Sequence, residues 1–430
     1  MQSPRGMKDI LPEEVRYWQY IYDVALQTFN TANYHEIRTP ILEETLLFNR
    51  SIGEGTDIVN KEMYNFTDQG KRELSLRPEG TAGIARAITQ HKLCEAQSIQ
   101  KLWYLGPMFR YERPQYGRQR QFHQLGLECH GSNHPMIDAE IIYLATTILQ
   151  KCSCKEYTLE INSIGSNINR ETYVIELTDH LKKYYDDLDL ESKKKLSLSP
   201  IKILDSKNQK IQEILVDGPC LNKFLDKSSI NHFVQLQEYL DSLNIAFKVN
   251  YGLVRGLDYY NDTVFEIKTN KLGSQDTICG GGRYNSLVEQ IGGKETPSIG
   301  WGIGIERLLL LIKDQMILTE QPPCIYIAVQ ANINLKYVLQ LIPKIHKHEL
   351  KYELDTSNSS IKKQLQRANK KQSMACIIIG ENEIINQNIT IKWLHKYKQD
   401  TYKIQDFLKI LPTIKKEYNT FIEANKSLDS

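Results

Sequence analysis

The sequence lacks several features that mark familiar functional classes. It has no run of about 18 consecutive apolar residues, so we expect no membrane-spanning helix. It contains neither an HExxH motif nor a Walker lysine motif, which argues against a zincin and against a P-loop nucleotide site. No internal repeat or low-complexity stretch is present. These absences favour a soluble globular protein with no metal held by a sequence motif.

Cysteine is sparse and scattered along the chain. None of the eight cysteines belongs to a CxxC pair, and the single CxC, Cys152 and Cys154, has no second pair with which to hold a metal. We therefore expect free, buried thiols in a reducing compartment.

The length and the charge distribution suggest two parts. A chain of 430 residues is long enough for two or three domains. The net charge is only +2, but residues 321–430 hold 17 Lys or Arg against 10 Asp or Glu, so the first 320 residues are acidic overall. A basic C-terminal third suggests an anionic partner. A solvated, lysine-rich surface would produce the same composition.

The most informative segment is FRYERPQYGRQRQFHQLGLE, residues 109–128. It reads as two β-strands joined by a basic loop. Alternation predicts that Arg110 and Glu112 share a face of the first strand and that Phe122 and Glu128 share a face of the second. A structural hairpin needs no such alignment of arginines and carboxylates, whereas a site that holds a polyphosphate beside a small zwitterion does.

Three further segments accompany it: RPEGTAGIAR (77–86), GLVRGLDYY (252–260) and SIGWGIGIERLLLLIK (298–313). The last predicts a glycine-rich strand that turns into an apolar helix, with Arg307 near the helix start. GWGIGIER resembles a dinucleotide-binding loop only superficially. It lacks the third glycine, and no βαβ unit with a ribose-binding acid follows it.

In chain order, these four segments resemble the class II aminoacyl-tRNA synthetases. GLVRGLDYY and CGGGRYNSLVEQIGG (279–293) resemble the histidyl-tRNA synthetase family specifically, and the resemblance runs from RGMKDILP (5–12) into the C-terminal third. It implies an α+β fold with a class II synthetase catalytic core built on an antiparallel β-sheet flanked by helices. It also implies a helical insertion and a C-terminal α/β anticodon-binding domain.

The expected domains are a catalytic domain over 1–320 with a helical insertion at about 166–245, an anticodon-binding domain over 324–415, and a tail over 416–430. Predicted strands at 157–161 and 246–255 flank the insertion. Residues 314–323 read as a linker, and the strand–helix alternation beyond it is typical of a small α/β domain.

Formation of an acyl-adenylate brings a carboxylate to the α-phosphorus of ATP, so positioned cations are needed. Arginine suits this task because its planar fork grips phosphate or carboxylate with two bonds. The resemblance implies catalytic roles for Arg110 at the α-phosphate, Arg307 at the γ-phosphate, and Arg255 between the α-phosphate and the substrate carboxylate. An ordinary surface salt bridge is the alternative for any one of them. The ATP-binding set that the resemblance implies is Arg110, Glu112, Arg118, Phe122 and Arg307.

Selecting histidine requires groups that read an imidazole, which when neutral offers one donor and one acceptor. The resemblance implies a histidine-binding set of Glu79, Thr81, Gln124, Glu128, Tyr260 and Tyr284. Glu128 and Tyr260 match the positions that read the ring, and Glu79, Thr81 and Gln124 match those that hold the α-ammonium. A site of this kind rejects analogues without the polar side chain, so it needs no editing site.

Recognition of tRNA(His) is expected at two places. Lys363, Arg367 and Lys370 fall on one face of a predicted helix over 361–371, where phosphate contacts would be salt-sensitive. In the loop of the 109–128 segment, Arg113 and Gln115 are placed like family residues near the tRNA acceptor end.

The resemblance also bears on ligands, assembly and compartment. ATP is expected as a substrate together with L-histidine, and Mg²⁺ would accompany ATP and stay partly hydrated. Helix 17–33 and strand 34–43, which ends near Pro40, correspond to the family's dimer interface and imply a homodimer. The N-terminus opens on the matching motif, so we expect no targeting peptide. The cytoplasm is the expected compartment, or the plastid stroma if the gene is organelle-encoded, as the Lys, Ile and Asn bias allows.

Two alternatives compete with a histidine–tRNA ligase. One is a non-catalytic paralogue that binds histidine and regulates the first enzyme of histidine biosynthesis; the arginines at 110, 255 and 307 and the domain after residue 323 argue against it. The other is a synthetase for a different amino acid, against which GLVRGLDYY and Glu128 argue.

Overall fold

The computed structural model describes residues 1–428 except 54–55, 95–97, 116, 207, 274–275, 314, 317, 319–320, 332, 334 and 397. The chain divides into two compact units, Met1–Leu318 and Thr319–Ser430. Part of the segment read as a linker, 314–323, lies outside the described residues.

The first unit holds ten helices among its described residues: α1 (Pro12–Thr31), α2 (Thr45–Ile52), α3 (Thr81–His91), α4 (Pro135–Lys151), α5 (Asn167–Lys182), α6 (Leu190–Leu198), α7 (Gln209–Val216), α8 (Lys227–Ser242), α9 (Leu287–Gln290) and α10 (Ile305–Ile312). Its strands are β1 (His35–Glu36), β2 (Leu42–Glu44), β3 (Tyr64–Thr67), β4 (Glu73–Leu76), β5 (Gln100–Phe109), β6 (Gln121–His130), β7 (Thr158–Ser163), β8 (Lys248–Val249), β9 (Asn261–Lys268), β10 (Thr277–Arg283) and β11 (Ser298–Gly304).

Eight of these strands form one sheet in the order β1-β5-β6-β11-β10-β9-β7-β8. The six central strands pair antiparallel, and only the edge strands β1 and β8 pair parallel. A smaller antiparallel sheet has the order β2-β4-β3. The architecture is therefore the α+β, antiparallel-sheet fold that the sequence predicts.

One face of the large sheet is covered by helices. On β6, Leu125 and Leu127 are buried in a core shared with residues of α1 and α4. Phe29 of α1 packs on Trp103 and Trp301, with ring centroids 5.4 and 6.0 Å apart. Because side chains alternate along a strand, the polar residues between these apolar ones point to the opposite face. That alternation leaves the second face of the sheet for a polar cavity.

Helices α5 to α8 lie between β7 and β8 in the chain. The buried apolar residues of α5 to α7 share a core with Tyr260, whereas Leu236 of α8 is buried in the core under the large sheet. The starts of these helices are encoded locally. The side chains of Asp189 and Asp226 accept hydrogen bonds of 2.7 and 2.8 Å from backbone N–H groups in the first turns of α6 and α8. Such caps each contribute about 1 kcal/mol. We refer to residues 167–242 as the insertion.

The second unit has strands β12 (Ile325–Val329), β13 (Tyr352–Leu354), β14 (Ala375–Ile379), β15 (Asn388–Trp393) and β16 (Lys398–Lys403) and helices α11 (Leu335–Leu339), α12 (Ile342–Lys347), α13 (Ile361–Lys370), α14 (Glu381–Ile385) and α15 (Ile404–Leu428). The sheet order is β13-β12-β14-β15-β16, parallel in its first three strands and antiparallel in the rest. The second unit is therefore an α/β domain with a mixed sheet.

Several elements differ from the sequence-based expectation. The strand predicted over 34–43 is two short strands, since Pro40 lacks the N–H that a continuous ladder requires. The strand predicted over 246–255 shrinks to β8. The helix predicted over 333–348 is two helices, and Pro343 lies in the first turn of the second, where its missing N–H is tolerated. The predicted tail from residue 416 is instead helical, because α15 continues to Leu428.

Candidate active site

The face of the large sheet opposite α1 and α4, on part of which α3 packs, carries a cavity. Its lining includes ten of the twelve residues expected to bind ATP or histidine: Glu79, Thr81, Arg110, Glu112, Arg118, Phe122, Gln124, Arg255, Tyr260 and Arg307. The other two, Glu128 and Tyr284, are fully buried and do not line it. The structure thus brings together residues that are more than 200 positions apart in the chain.

Strand β6 places Phe122 and Gln124 in the cavity, as alternation predicts. The prediction that Arg110 and Glu112 share a strand face is wrong, because β5 ends at Phe109 and both residues lie in the irregular segment after it. Arg110 is instead oriented by its Nε, which donates a 2.9 Å hydrogen bond to the carbonyl of Pro78. Its guanidinium carbon lies 5.2 Å from the centroid of the Phe122 ring.

One end of the cavity is strongly cationic. Arg110, Arg118 and Arg307 gather there around Glu112, whose carboxylate lies 3.0 Å from Arg118 and 3.9 Å from Arg110. Arg307 donates a 2.7 Å hydrogen bond to the carbonyl of Thr277. Burial, and then the charge of Arg118, lower the pKa of Arg307. Glu62 and Asp276 also interact with these arginines. The three guanidiniums still converge on one end of the cavity, where phosphate oxygens could accept hydrogen bonds from them.

Arg255 occupies the wall between the two ends. It forms an ion pair with Glu266 of β9, and its guanidinium carbon lies 5.8 Å from the centroid of the Tyr260 ring. Burial opposes its charge, yet Glu266 holds the pKa of the guanidinium above its ordinary value. Gly280 makes the position possible, since a Cβ there would lie 2.4 Å from Nη2 of Arg255. The arginine is therefore held charged at the edge of the cavity.

The other end is built around two buried carboxyl groups. Glu79 accepts hydrogen bonds of 2.8 and 2.7 Å from the backbone N–H groups of Thr81 and Ala82, at the start of α3. Burial nevertheless raises the pKa of Glu79. Glu128 accepts a 2.7 Å bond from the hydroxyl of Thr81 and a second bond from the hydroxyl of Tyr284.

Burial also raises the pKa of Glu128, to about 8, although the two hydroxyl donors oppose the shift. Strand β11 leaves room for this carboxyl because residue 300 is glycine. A Cβ at Gly300 would lie only 1.6 Å from Oε2 of Glu128. Because of its raised pKa, the carboxyl is mainly protonated at neutral pH when no ligand is bound. A ligand that brings a positive charge or an N–H donor would favour its ionised form, which has acceptor positions left beside the two hydroxyls.

Gln124 of β6 is a further polar residue of the lining. Its Oε1 is buried, and no described residue donates a hydrogen bond to it. A buried amide oxygen without a donor is costly, so a ligand with an N–H group would be stabilised there.

The remaining predicted residues lie elsewhere. Arg113 and Gln115 are exposed on the loop after β5 and do not line the cavity. On α13, Lys363 and Lys370 are exposed. The side chain of Arg367 is 38% exposed, and its guanidinium donates bonds of 2.9 and 2.7 Å to Asp355. On the predicted basic face, the charge of Arg367 is therefore offset by Asp355.

The lining residues that the reading of the sequence missed include Tyr104, Gln119, Tyr259 and Glu306. Tyr104 could have been found, because it is paired across the sheet with Gly126 and faces the same side of the sheet. Glu306 accepts 3.0 Å bonds from the backbone N–H of His123 and lies 3.0 Å from its Nδ1. No local pattern indicates that contact, since the two residues are far apart in the chain.

Two features are absent from the described residues: a side-chain cluster that could hold a metal ion and a helix that could span a membrane. No group of three or more His, Cys, Asp or Glu that could hold a metal ion occurs among these residues. Within the same part of the chain, no helix is long and apolar enough to cross a bilayer.

Comparisons with known proteins agree with the geometry. Residues 6–308 match the family model described as histidyl-tRNA synthetase, and residues 324–414 match that of an anticodon binding domain. The chloroplastic histidine–tRNA ligase of Gracilaria tenuistipitata var. liui is 55% identical over 95% of this chain and 97% of its own. The histidine–tRNA ligase of Cyanothece sp. is 47% identical over 95% of each chain. The crystal structure of apo S. aureus histidyl-tRNA synthetase is 33% identical with a TM-score of 0.79, covering 96% of this chain and 99% of that one.

Proposed function

This chain belongs to the histidyl-tRNA synthetase family, and we propose which of its residues carry each step of the histidine–tRNA ligase reaction. In that reaction histidine and ATP form histidyl-adenylate and pyrophosphate. The histidyl group then passes to the 3′-terminal adenosine of tRNA(His). The alternatives of a regulatory paralogue and of a synthetase for another amino acid are set aside by the family match over both domains.

The observation that carries the proposal is the division of one cavity into a cationic end and a carboxyl end. Arg110, Arg118 and Arg307 form the first. Glu79 lines the second, and Glu128 is buried next to it, where it accepts a hydrogen bond from the hydroxyl of Thr81. A triphosphate suits the arginines, whereas an amino acid with an ammonium group and an imidazole suits the carboxyls. The two substrates would therefore meet near Arg255.

Activation depends on positioning and fixed charge. We assign Arg110 to the α-phosphate, Arg307 to the γ-phosphate, and Phe122 to stacking against adenine, with Arg118 and Glu112 completing the nucleotide site. Arg255 lies between the substrates and offsets the charge that grows as the histidine carboxylate attacks the α-phosphorus. The bond between the α- and β-phosphates breaks, and pyrophosphate leaves.

Histidine is assigned to the carboxyl end. Glu79, Thr81 and Gln124 surround the place of the α-ammonium, where Gln124 offers its unpaired oxygen. Glu128 and Tyr260 read the two ring nitrogens, and Tyr284 holds Glu128 from behind the lining. Because these groups would be left buried and unpaired by a substrate without the imidazole, selection needs no editing step.

The test of this assignment is aminoacylation of tRNA(His) transcripts with labelled histidine. The wild-type chain should charge tRNA(His) and leave other transcripts uncharged. Arg255→Ala should lower kcat by about 10²–10³-fold, the usual effect of removing one group that stabilises transition-state charge. Charging at the wild-type rate by Arg255→Ala would contradict the role given to Arg255.

We place the anticodon end of the tRNA on the second unit and the acceptor end near the catalytic cavity. The exposed lysines Lys363 and Lys370 of α13 are assigned to phosphate contacts. Arg113 and Gln115, exposed on the loop that also carries Arg118, are assigned to the acceptor end. Their exposure leaves them free of the cavity and accessible to a large ligand.

Mg²⁺ is assigned to ATP as part of the substrate. Glu112 is one carboxylate of the cationic end, and a single carboxylate together with phosphate oxygens and waters matches how Mg²⁺ is usually held. The ion would neutralise phosphate charge there.

A homodimer is proposed through the region around Pro40. Ile41, Leu42 and Leu46 there are 42%, 43% and 51% exposed, and Phe66 of the same small sheet is 42% exposed. A cluster of exposed apolar side chains is typical of a protein interface. Light scattering of the purified chain should give twice the mass of 49.8 kDa.

For the compartment we propose the plastid stroma over the cytoplasm. The support is the high identity to relatives named chloroplastic, 55% and 50% in two cases, together with 47% to a cyanobacterial one. Immunolocalisation in the source cells should place the protein in plastids, and an exclusively cytosolic signal would overturn this proposal.

A further inference from the structure

The stretch between β8 and β9 has no regular secondary structure, yet it lines the cavity. Residues 250–260 carry Arg255, Tyr259 and Tyr260, all of which line the cavity. Such a stretch lacks the ladder of backbone hydrogen bonds that holds a strand in place. Its backbone must therefore be held by other groups if the side chains are to keep their positions. We call residues 250–260 the pocket loop.

Arg170 lies in the first turn of α5, in the insertion, and its side chain binds two backbone carbonyl groups of the pocket loop. Its Nη1 donates a 2.8 Å bond to the carbonyl of Tyr260 and a 3.1 Å bond to that of Asp258, and its Nη2 donates a second 3.1 Å bond to Asp258. The guanidinium therefore binds the carbonyl groups of the residues immediately before and after Tyr259. Burial lowers the pKa of Arg170, so this contact is made against the cost of desolvating a charge.

A second cation from the insertion reaches the same place. Lys202, in the short turn after α6, lies 3.0 Å from the Oδ1 of Asp258. The backbone N–H of Asp258 is held as well, since it donates a 3.2 Å bond to the carbonyl of Ile52, a residue of the first unit outside the insertion. Two basic side chains of the insertion thus converge on one residue of the pocket loop, two positions before Tyr260.

We infer that Arg170 is a positioning residue for amino-acid activation, through which the insertion holds the pocket loop and with it Tyr260. This inference rests on the proposed function of the cavity. It assigns the insertion a part in the first half-reaction, which takes place without tRNA. Arg170 acts through backbone carbonyls and touches neither substrate. A displacement of the loop by about 1 Å would be enough to lower the rate strongly.

The test is histidine-dependent exchange of labelled pyrophosphate into ATP, measured in the absence of tRNA. Arg170→Ala should raise the KM for histidine by about tenfold or more and change the KM for ATP by less than about threefold. Arg170→Lys keeps the charge but cannot span two carbonyls, so it should recover only part of the loss. Added guanidinium ion should restore part of the activity of Arg170→Ala, a rescue that a general loss of folding would not show.

The matched control is Lys182→Ala. Lys182 lies on the same helix, in an exposed pair with Asp179, and both side chains are 64% exposed. Its kinetics should equal those of the wild type. Wild-type kinetics in Arg170→Ala, or equal increases in both KM values without rescue, would overturn the inference and leave the proposed function standing. A wild-type chain with no histidine-dependent exchange would instead overturn the proposed function, and this inference with it.

Discussion

Replacing Glu128 with glutamine removes a buried carboxyl group and keeps its shape. In the folded protein the pKa of this group is raised to about 8, from 4.5 for an exposed glutamate. The protonated form is therefore favoured by the folded state. Below pH 4.5 the carboxyl is neutral in both the folded and the unfolded chain, and its full contribution to stability is present. As the pH rises toward 8, the unfolded chain releases the proton and the folded chain keeps it, so the contribution is lost.

The size of the loss follows from the interval between the two pKa values. Each pH unit within it costs about 1.4 kcal/mol, so the free energy of unfolding should fall by about 5 kcal/mol between pH 4.5 and pH 8. Glutamine cannot ionise. As the pH rises, Glu128→Gln should therefore become more stable relative to the wild type, because only the wild type loses this contribution.

The assay is urea unfolding at a series of pH values from 5 to 8.5 at constant protein concentration, followed by tryptophan fluorescence. Glu191→Gln serves as the control because the side chain of Glu191 is 78% exposed. Its curve should run parallel to that of the wild type. Parallel curves for Glu128→Gln as well would refute the reasoning, since they would mean that Glu128 is already ionised throughout the range.

Two further predictions concern close packing and tRNA binding. Gly300→Ala should weaken histidine binding, measured by titration calorimetry, by at least about tenfold, because the added Cβ would clash with the carboxyl of Glu128. Gly256→Ala is the control and should bind histidine normally, because a Cβ at that position has no atom within 4 Å. The double replacement of Lys363 and Lys370 by alanine should make the plot of the logarithm of the tRNA binding constant against the logarithm of salt concentration less steep, by about 0.7 per lysine. An unchanged slope would mean that the two lysines do not contact the tRNA.

The parts of the site that could be predicted from the sequence are those with a local signal. Phe122 and Gln124 share a face of β6 because side chains alternate along a strand, and apolar Leu125 and Leu127 occupy the other face. The glycine-rich β11 leading into α10 was equally readable, since its composition changes abruptly at residue 305. The family resemblance supplied the roles that alternation alone does not specify.

Contacts between distant residues could not be predicted. The hydroxyl of Tyr284 bonds a carboxyl 156 positions earlier in the chain. Arg170 holds carbonyl groups, which every residue possesses, and so leaves no pattern in the sequence. Arg110 was placed on a strand because alternation continues past residue 109, but its 2.9 Å bond to the Pro78 carbonyl follows from the path of a different segment. Helical spacing placed Arg367 on a basic face but says nothing about Asp355, the carboxylate to which its guanidinium is bound.

The central claim is that one cavity joins histidine to ATP. It is tested most directly by ATP–pyrophosphate exchange with each standard amino acid in turn, using the wild-type chain without tRNA. Exchange with histidine alone is the expected result, because only an imidazole satisfies both the buried Glu128 and Tyr260. Exchange with a different amino acid would contradict the assignment of the carboxyl end, and exchange with none would contradict the assignment of the whole cavity.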